Sequence, residues 1–304
     1  MTAPITPPMS SGDAHSRTAT AFALTAIALW ATLASLGTAL AHLPPFLLTG
    51  LSLLVGSALS WPVVWRDRAA WKVPPLTLAL GVYGLFGFHF LLFVALRMAP
   101  PVEANLVNYL WPLFIVVLAP LLLPGVRLRP AHVLAALLGF AGAALAILSA
   151  RDGSGAAAAT AAGRTVWGFV PALGSAFIWA SYSLWTKRVR HFPTAAVGLF
   201  GLVSGALSLL CHVLLEPPAT LSARDALLVL LCGLGPLGAA FYFWDKALKG
   251  GDARRIGILS YLTPLASTAL LLLVTGRALS IGIALAAALI IAAAVLGTRS
   301  APGT

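Results

Sequence analysis

Asn105, Asn108, Tyr109 and Pro112 follow one another at i, i+3, i+4 and i+7, so they share one face of a helix. Gly257, Ser260, Tyr261 and Pro264 repeat that spacing further along the chain. Amide, phenol and hydroxyl groups are neutral donors and acceptors. Their chemistry is the binding of a polar or zwitterionic group, not the making of bonds. Both faces lie in apolar runs, where a polar side chain is expensive unless it points into a bundle or cavity. Each proline removes a backbone donor. The carbonyls of Asn108 and Ser260, four residues earlier, are therefore expected to lose their helical partners and to need protein, water or ligand instead. Two readings stay open. Pro112 and Pro264 are kink or gating points of a site, or they only bend helices that the polar residues hold together.

Aromatic residues form the second constellation. Trp30, Trp111 and Trp179 fall within apolar runs, as do Tyr83 and Tyr182. An indole is large and carries one N–H that needs a partner. A cavity wall meets both demands, and plain packing is the alternative. Trp61, Trp65 and Trp71 fit a membrane-surface belt, as does the run Phe241–Trp244 at the end of its segment. His89 is the one ionisable side chain well inside an apolar run. It is either a neutral, hydrogen-bonded core residue or a substrate contact.

The acids exclude several functions. Asp13, Asp67, Glu103, Asp152, Glu216, Asp225, Asp245 and Asp252 are the whole supply, and none falls mid-segment. Glu103 opens its helix, where the dipole favours a carboxylate. Asp245 closes its segment beside Lys246. A pump driven through a deep carboxylate is therefore not expected, nor is an aspartyl intramembrane protease. The chain has no P-loop and no dinucleotide fingerprint. Cys211 and Cys232 both lie in apolar runs, so neither a disulfide framework nor a metal site is indicated. No cofactor is expected.

These residues must be positioned by membrane helices. The chain has 304 residues, 60% hydrophobic and only 9% charged, with a mean hydropathy of +0.96. Soluble domains carry about 25% charged residues, so an ordinary soluble enzyme is excluded. Ten segments reach the roughly 20 apolar residues that a span requires: 20–40, 46–65, 76–96, 103–122, 131–149, 165–186, 193–215, 224–246, 252–274 and 280–297. The polar residues 1–19 lack the apolar core of a signal peptide and read as a disordered cytoplasmic tail; 298–304 form a second tail. The Ala/Gly-rich stretch 150–164 reads as a flexible periplasmic linker between two sets of five spans, 20–149 and 165–297.

The net charge of +11 would suggest nucleic acid in a soluble protein. Here it is distributed by side of the membrane, and no nucleic-acid partner is expected. Arg17, Arg66, Arg68, Lys72, Arg127, Arg129, Lys187, Arg188, Arg190, Lys246, Lys249, Arg254, Arg255 and Arg299 fall on one side of an alternating ten-span path. Arg97, Arg151, Arg164, Arg224 and Arg277 fall on the other. By the positive-inside rule both termini are cytoplasmic. A shift of 152 residues superimposes Tyr109-Leu110-Trp111-Pro112 on Tyr261-Leu262-Thr263-Pro264 and Ala95-Leu96 on Ala247-Leu248. A smaller echo pairs Trp30-Ala31 with Trp179-Ala180. Five spans per repeat is an odd number, so the second copy must enter the membrane inverted. The expected fold is an all-α membrane protein of ten helices, built as two inverted five-helix repeats around a central cavity, with the site near the midplane.

The stretches ALRMAPPVEANLVNYLWP (95–112) and ALKGGDARRIGILSYLTP (247–264) resemble corresponding joins in the two repeats of the drug/metabolite transporter superfamily, in its ten-span, EamA-type branch. Trp30 and Trp179 stand where that family places a tryptophan in each repeat. The run Asn108–Pro112 resembles more narrowly the bacterial aromatic amino acid exporters. Ala31 departs from the glycine that often follows the first tryptophan, which weakens substrate assignment by motif. The resemblance implies an inner-membrane exporter working by alternating access. Its substrate would be an aromatic or other apolar amino acid, its partners that substrate and the lipid bilayer, and its state a monomer. Trp30, Tyr83, His89, Asn108, Tyr109, Trp111, Trp179, Tyr182, Ser260 and Tyr261 are the candidate substrate contacts. The absence of a deep counter-charge suits a net-neutral cargo and downhill, uniport-like movement. The alternatives are a broad drug or metabolite effluxer of the same fold and a non-transporting membrane enzyme or scaffold.

Overall fold

The computed structural model describes residues 11–99, 101–152, 166–275 and 280–299. Every regular element among them is helical. The helices are α1 (Ser11–Ala31, continued by Leu33–Ala39), α2 (Pro45–Arg66), α3 (Pro75–Met98), α4 (Glu103–Leu122), α5 (Pro130–Asp152), α6 (Phe169–Trp185), α7 (Ala196–Leu215), α8 (Ala223–Gly250), α9 (Ala253–Leu259), α10 (Leu262–Thr275) and α11 (Ile281–Arg299). Helix occupies each of the ten predicted segments. Seven helices among the described residues are long and apolar enough to cross a membrane; these lie in α1 to α5, α7 and α8. Three predicted segments fall short by that measure. The helix α6 is short, α9 and α10 are two pieces of one segment, and α11 has a shorter apolar stretch, Ile281–Gly297.

Prolines start several helices, at Pro45, Pro75 and Pro130, where the missing N–H is one that a helix cannot use anyway. Helix begins at Ser11, inside the segment whose composition suggests a tail. The reason is tertiary: Ala19 is buried, and Ser16 Oγ accepts from Arg255 Nη1 at 3.1 Å. Residues 1–10, 300–304 and most of the predicted linker, 153–164, lie outside the described residues.

Two irregularities recur in register. The π-helical turn Tyr83–Gly87 in α3 has a counterpart at Gly235–Ala239 in α8. The turn at Tyr109–Leu110 in α4 has one at Ser260–Tyr261, between α9 and α10. The π turns recur at the 152-residue shift of the sequence, and the helix breaks within one residue of it. The packing partners are also reciprocal. Helix α2 packs on α7, α5 on α11, α4 on α9, α1 on α8 and α6 on α3. Helices α2 and α7 run antiparallel through small residues. Gly50 faces Gly205 and Leu209, while Ser60, ten residues on, faces Gly198. A Cβ on Gly198 would lie 2.0 Å from Ser60 Oγ, so this close approach requires glycine.

Candidate functional site

Four tryptophans from four helices meet in the core. Trp30 comes from α1, Trp111 from α4, Trp179 from α6 and Trp244 from α8. Trp30 lies 5.7 Å from Trp179, 6.5 Å from Trp111 and 5.2 Å from Trp244 between ring centroids. Trp111 lies 6.3 Å from Trp179 and 5.6 Å from Trp244. Most of these contacts are edge-to-face or tilted, the arrangement that the ring quadrupole favours. All four indoles are buried, the most exposed at 9%. Phe241 closes one side, 5.7 Å from Trp179, and Phe88 another, at 5.4 Å. In the described state the indoles therefore pack on one another at the place where a cavity was expected.

Neutral polar groups surround most of this box. Trp244 Nε1 donates to Ser183 Oγ at 3.1 Å, which satisfies the indole. Asn108, one helical turn before Trp111, has its Oδ1 2.9 Å from Ser175 Oγ, one turn before Trp179. The same hydroxyl lies 2.8 Å from the Ala172 carbonyl. Tyr83 Oη is 2.8 Å from Ser181 Oγ, which itself donates to the Phe177 carbonyl. The tyrosine must therefore be the donor. Tyr182 is buried 5.4 Å from Trp179. Its ring lies over Gly84 in the π turn, where a Cβ would come within 2.3 Å of it. The turn and the missing side chain together make room for Tyr182. His89 is buried with Nδ1 2.6 Å from the Leu85 carbonyl. A carbonyl only accepts, so Nδ1 carries the proton. The histidine ring lies 6.3 Å from Phe241, on the rim of the box.

The predicted residues thus divide. Trp30, Trp111, Trp179 and Tyr182 converge, with His89, Asn108 and Tyr83 around them. Tyr109 is partly buried in the turn that precedes Trp111. Ser260 and Tyr261 lie elsewhere. Ser260 Oγ donates to the Ile256 carbonyl of its own helix. Tyr261 is buried against Ala143 of α5 and Ile290 of α11. The expected free carbonyl at Ser260 is also corrected: it accepts from Thr263 N at 3.0 Å. The chain turns before Pro264, and the tighter turn supplies a donor that an unbroken helix with proline would lack. Pro112 likewise stands in the first turn of a new helical piece that starts at Trp111.

Two features escaped the sequence reading. Phe241 and Trp244 belong to the box, not to a surface belt. Asp245 is also not a surface acid. It is 3% exposed, and its Oδ2 accepts from Lys249 Nζ and Thr194 Oγ1, both at 2.6 Å. Its other oxygen has no partner. Only the lysine at i+4 hinted at this pair.

An all-helical chain of apolar spans around a neutral core of aromatic and amide groups has the make-up of a membrane transporter. The chain belongs to the EamA-like transporter family, which matches residues 17–148 and again 166–299. It is 43% identical over 283 residues to the aromatic amino acid exporter YddG of Ancylobacter novellus, covering 92% of this chain and 96% of that protein. An uncharacterized transporter of Acidianus ambivalens is 24% identical over 169 residues, 56% of this chain and 62% of its own length. A solved crystal structure, 41% identical, superimposes with a TM-score of 0.85 over 94% of this chain and 98% of that one. Family membership and the apolar helices make this chain a multi-pass membrane transporter.

Proposed function

We propose that the protein exports aromatic or other large apolar amino acids across the bacterial inner membrane, downhill and without ion coupling, as a monomer. The observation that carries this reading is the four-tryptophan box. It offers faces and edges for an aryl or alkyl side chain. The neutral amides and hydroxyls of Asn108, Ser175 and Ser183, with Tyr83 and His89, supply donors and acceptors for the ammonium and carboxylate. A zwitterion has no net charge, so it needs no buried counter-ion at that depth. The activity for which the Ancylobacter relative is named supports the same substrate class.

Ten spans, arranged as two inverted repeats at 20–149 and 165–297 with both termini cytoplasmic, complete the proposal. Its support is the twofold family match, the paired π turns, the paired helix breaks and the antiparallel run of α2 against α7. Alternating access follows from such a fold: Trp30 and Trp111 of one repeat part from Trp179 and Trp244 of the other, and the substrate ring replaces indole–indole contacts. The test is efflux of labelled amino acids from proteoliposomes holding the purified protein. Phenylalanine, tyrosine and tryptophan should leave faster than alanine or lysine, with the rate independent of an imposed pH gradient. Equal efflux of all five would remove the aromatic specificity, and substrate-coupled proton flux would remove the uniport.

A further inference from the structure

We propose that a second site, where the amino acid is first held before it reaches the tryptophan box, lies between the start of α1 and the end of α8. This inference rests on the aromatic amino acid reading above. A pocket of about 450 Å³ opens there, with His15, Thr18, Phe22, Lys246, Lys249 and Gly250 in its wall. That volume is in the usual range for small-molecule sites, about 300–1,000 Å³. Lys246 and Lys249 are among the basic residues that mark the cytoplasmic side.

The wall carries an aromatic ring and a cation that lies over that ring. Phe22 stacks on Phe243, with centroids 5.9 Å apart and planes 27° from parallel. Lys246 Nζ stands 5.2 Å from the centre of the Phe22 ring. No carboxylate is paired with Lys246 among the described residues, and no acid lines the pocket. Lys249 is different, since its ammonium is already bound to Asp245, Thr194 and the Phe192 carbonyl. The pocket is therefore cationic, with one aryl wall. A carboxylate on Lys246 and a ring on Phe22 would satisfy both.

The third group of an amino acid also finds a counterpart. Behind Lys249, Asp245 keeps one carboxylate oxygen, buried and without a partner. Asp245 is not in the pocket wall, so an ammonium, with the same charge and donor set as Lys249 Nζ, would reach that carboxylate by displacing Lys249. Asp245 follows Trp244 in the chain, and Trp244 is 5.2 Å from Trp30. Phe22 precedes Trp30 on α1 by eight residues, about 12 Å of helix. Pocket and box are thus two points on one α1–α8 seam, with the Asp245–Lys249 joint between them. The site takes an aromatic α-amino acid as its zwitterion.

The test uses a Cys211→Ala, Cys232→Ala background with a reporter cysteine at Thr18→Cys and, separately, at Gly250→Cys. An impermeant maleimide is applied from the cytoplasmic face of vesicles. L-phenylalanine at about ten times its Kd should slow labelling about tenfold, since only the unoccupied site reacts. Alanine, which lacks the ring, and phenylethylamine, which lacks the carboxylate, should not. Lys246→Gln and Phe22→Ala should each remove the protection while leaving the unprotected rate unchanged, and Lys246→Arg should restore it. Trp30→Ala should leave the protection intact. Phenylalanine transport without protection of either reporter would overturn the site and leave the exporter reading standing. Protection that survives Lys246→Gln, or that only phosphatidylglycerol supplies, would also overturn it. Neither transport nor protection would overturn both.

Discussion

Glu216 is the most heavily bonded carboxylate among the described residues, and removing it should destabilise the protein in a graded way. Its side chain is 1% exposed. Oε1 accepts from Phe46 N at 3.0 Å and from Arg97 Nη2 at 2.7 Å. Oε2 accepts from Leu47 N at 3.3 Å and lies 3.0 Å from His212 Nδ1. The two amides are orphan donors at the first turn of α2, where a negative charge also meets the helix dipole. Glu216→Ala leaves both amides without their acceptor and strips Arg97 and His212 of a partner. Loss of one partner from a buried charged cluster costs about 3–5 kcal/mol. Glu216→Gln keeps one acceptor but turns the other oxygen into a donor facing donors, so about half that loss is expected. Arg97 is 45% exposed on its side chain; solvent screening therefore limits Arg97→Ala to about 1 kcal/mol or less. At about 2–4 °C per kcal/mol, a loss of about 3–5 kcal/mol means that Glu216→Ala should lower the apparent Tm in detergent by about 6–20 °C. Thermal unfolding followed by size-exclusion chromatography gives the ranking Glu216→Ala, Glu216→Gln, Arg97→Ala. A Glu216→Ala protein as stable as Arg97→Ala would refute the view that the carboxylate organises this end of α2.

Trp244→Phe keeps an aromatic ring in the box but loses the bond to Ser183; efflux of tryptophan relative to alanine should change, with protein yield retained, and a fall in yield alone would make Trp244 a packing residue. Gly84→Ala places a Cβ 2.3 Å from the Tyr182 ring; overpacking of that kind costs about 1–3 kcal/mol, read as a lower apparent Tm. Gly37→Ala, with nothing within 4 Å of the new atom, should raise stability by up to about 1 kcal/mol through helix propensity. Asp252 caps α9 through Arg254 N and pairs with the Arg254 side chain. Burial pushes its carboxyl up, but the bonds and charge of Arg254 outweigh this and hold it below the usual carboxylate range. A depressed pKa stabilises the fold above the unfolded-state value, and that stabilisation fades as pH falls through the lower, folded value. Asp252→Asn should therefore flatten the acid side of the stability profile, and an unchanged profile would contradict the assignment.

Several features of this fold can be read from residue order because periodicity carries them. The shift that aligns Tyr109 with Tyr261 also aligns the two π turns and brings the two helix breaks within one residue of each other, since proline and glycine act on the local backbone. Trp30, Trp111 and Trp179 could be picked out because a mid-span indole needs a partner. Trp244 could not: a residue near the end of a span looks the same whether it faces lipid or a neighbouring helix. The pair Ser260 and Tyr261 shows the opposite failure. They inherit the spacing of Asn108 and Tyr109, yet Thr263 stands where the first repeat has Trp111, and Tyr261 packs toward α5 and α11. Glu216 and Asp245 read only as acids outside the middle of a segment, because burial is set by chain far away, 170 residues from Glu216 in the case of Phe46.

The placement of charge bears on how such a protein can move. Asp245 meets Thr194 just before α7 begins, and Glu216 follows directly where α7 ends. The helix between them has 20 residues, about 30 Å, so the two joints stand at opposite ends of a helix long enough to span a membrane. At the first, Lys187 from the end of α6 also donates to the Leu248 and Gly251 carbonyls at the end of α8. At the second, Arg97 ties the end of α3 to the loop after α7. Between them the core holds aromatic rings, amides and hydroxyls, whose contacts are individually weak and can be exchanged for those of a ligand. An exporter that alternates must loosen one end while the other holds. Here the strong, directional bonds sit at the ends and the exchangeable ones in the middle. Neutralising both members of the Asp245–Lys249 pair, as Asp245→Asn with Lys249→Gln, should therefore raise thiol labelling of a cysteine at Ser183 from the cytoplasmic face and leave labelling from the other face unchanged. Equal labelling from both faces, or from neither, would mean that this joint holds the fold together and does not act as a gate.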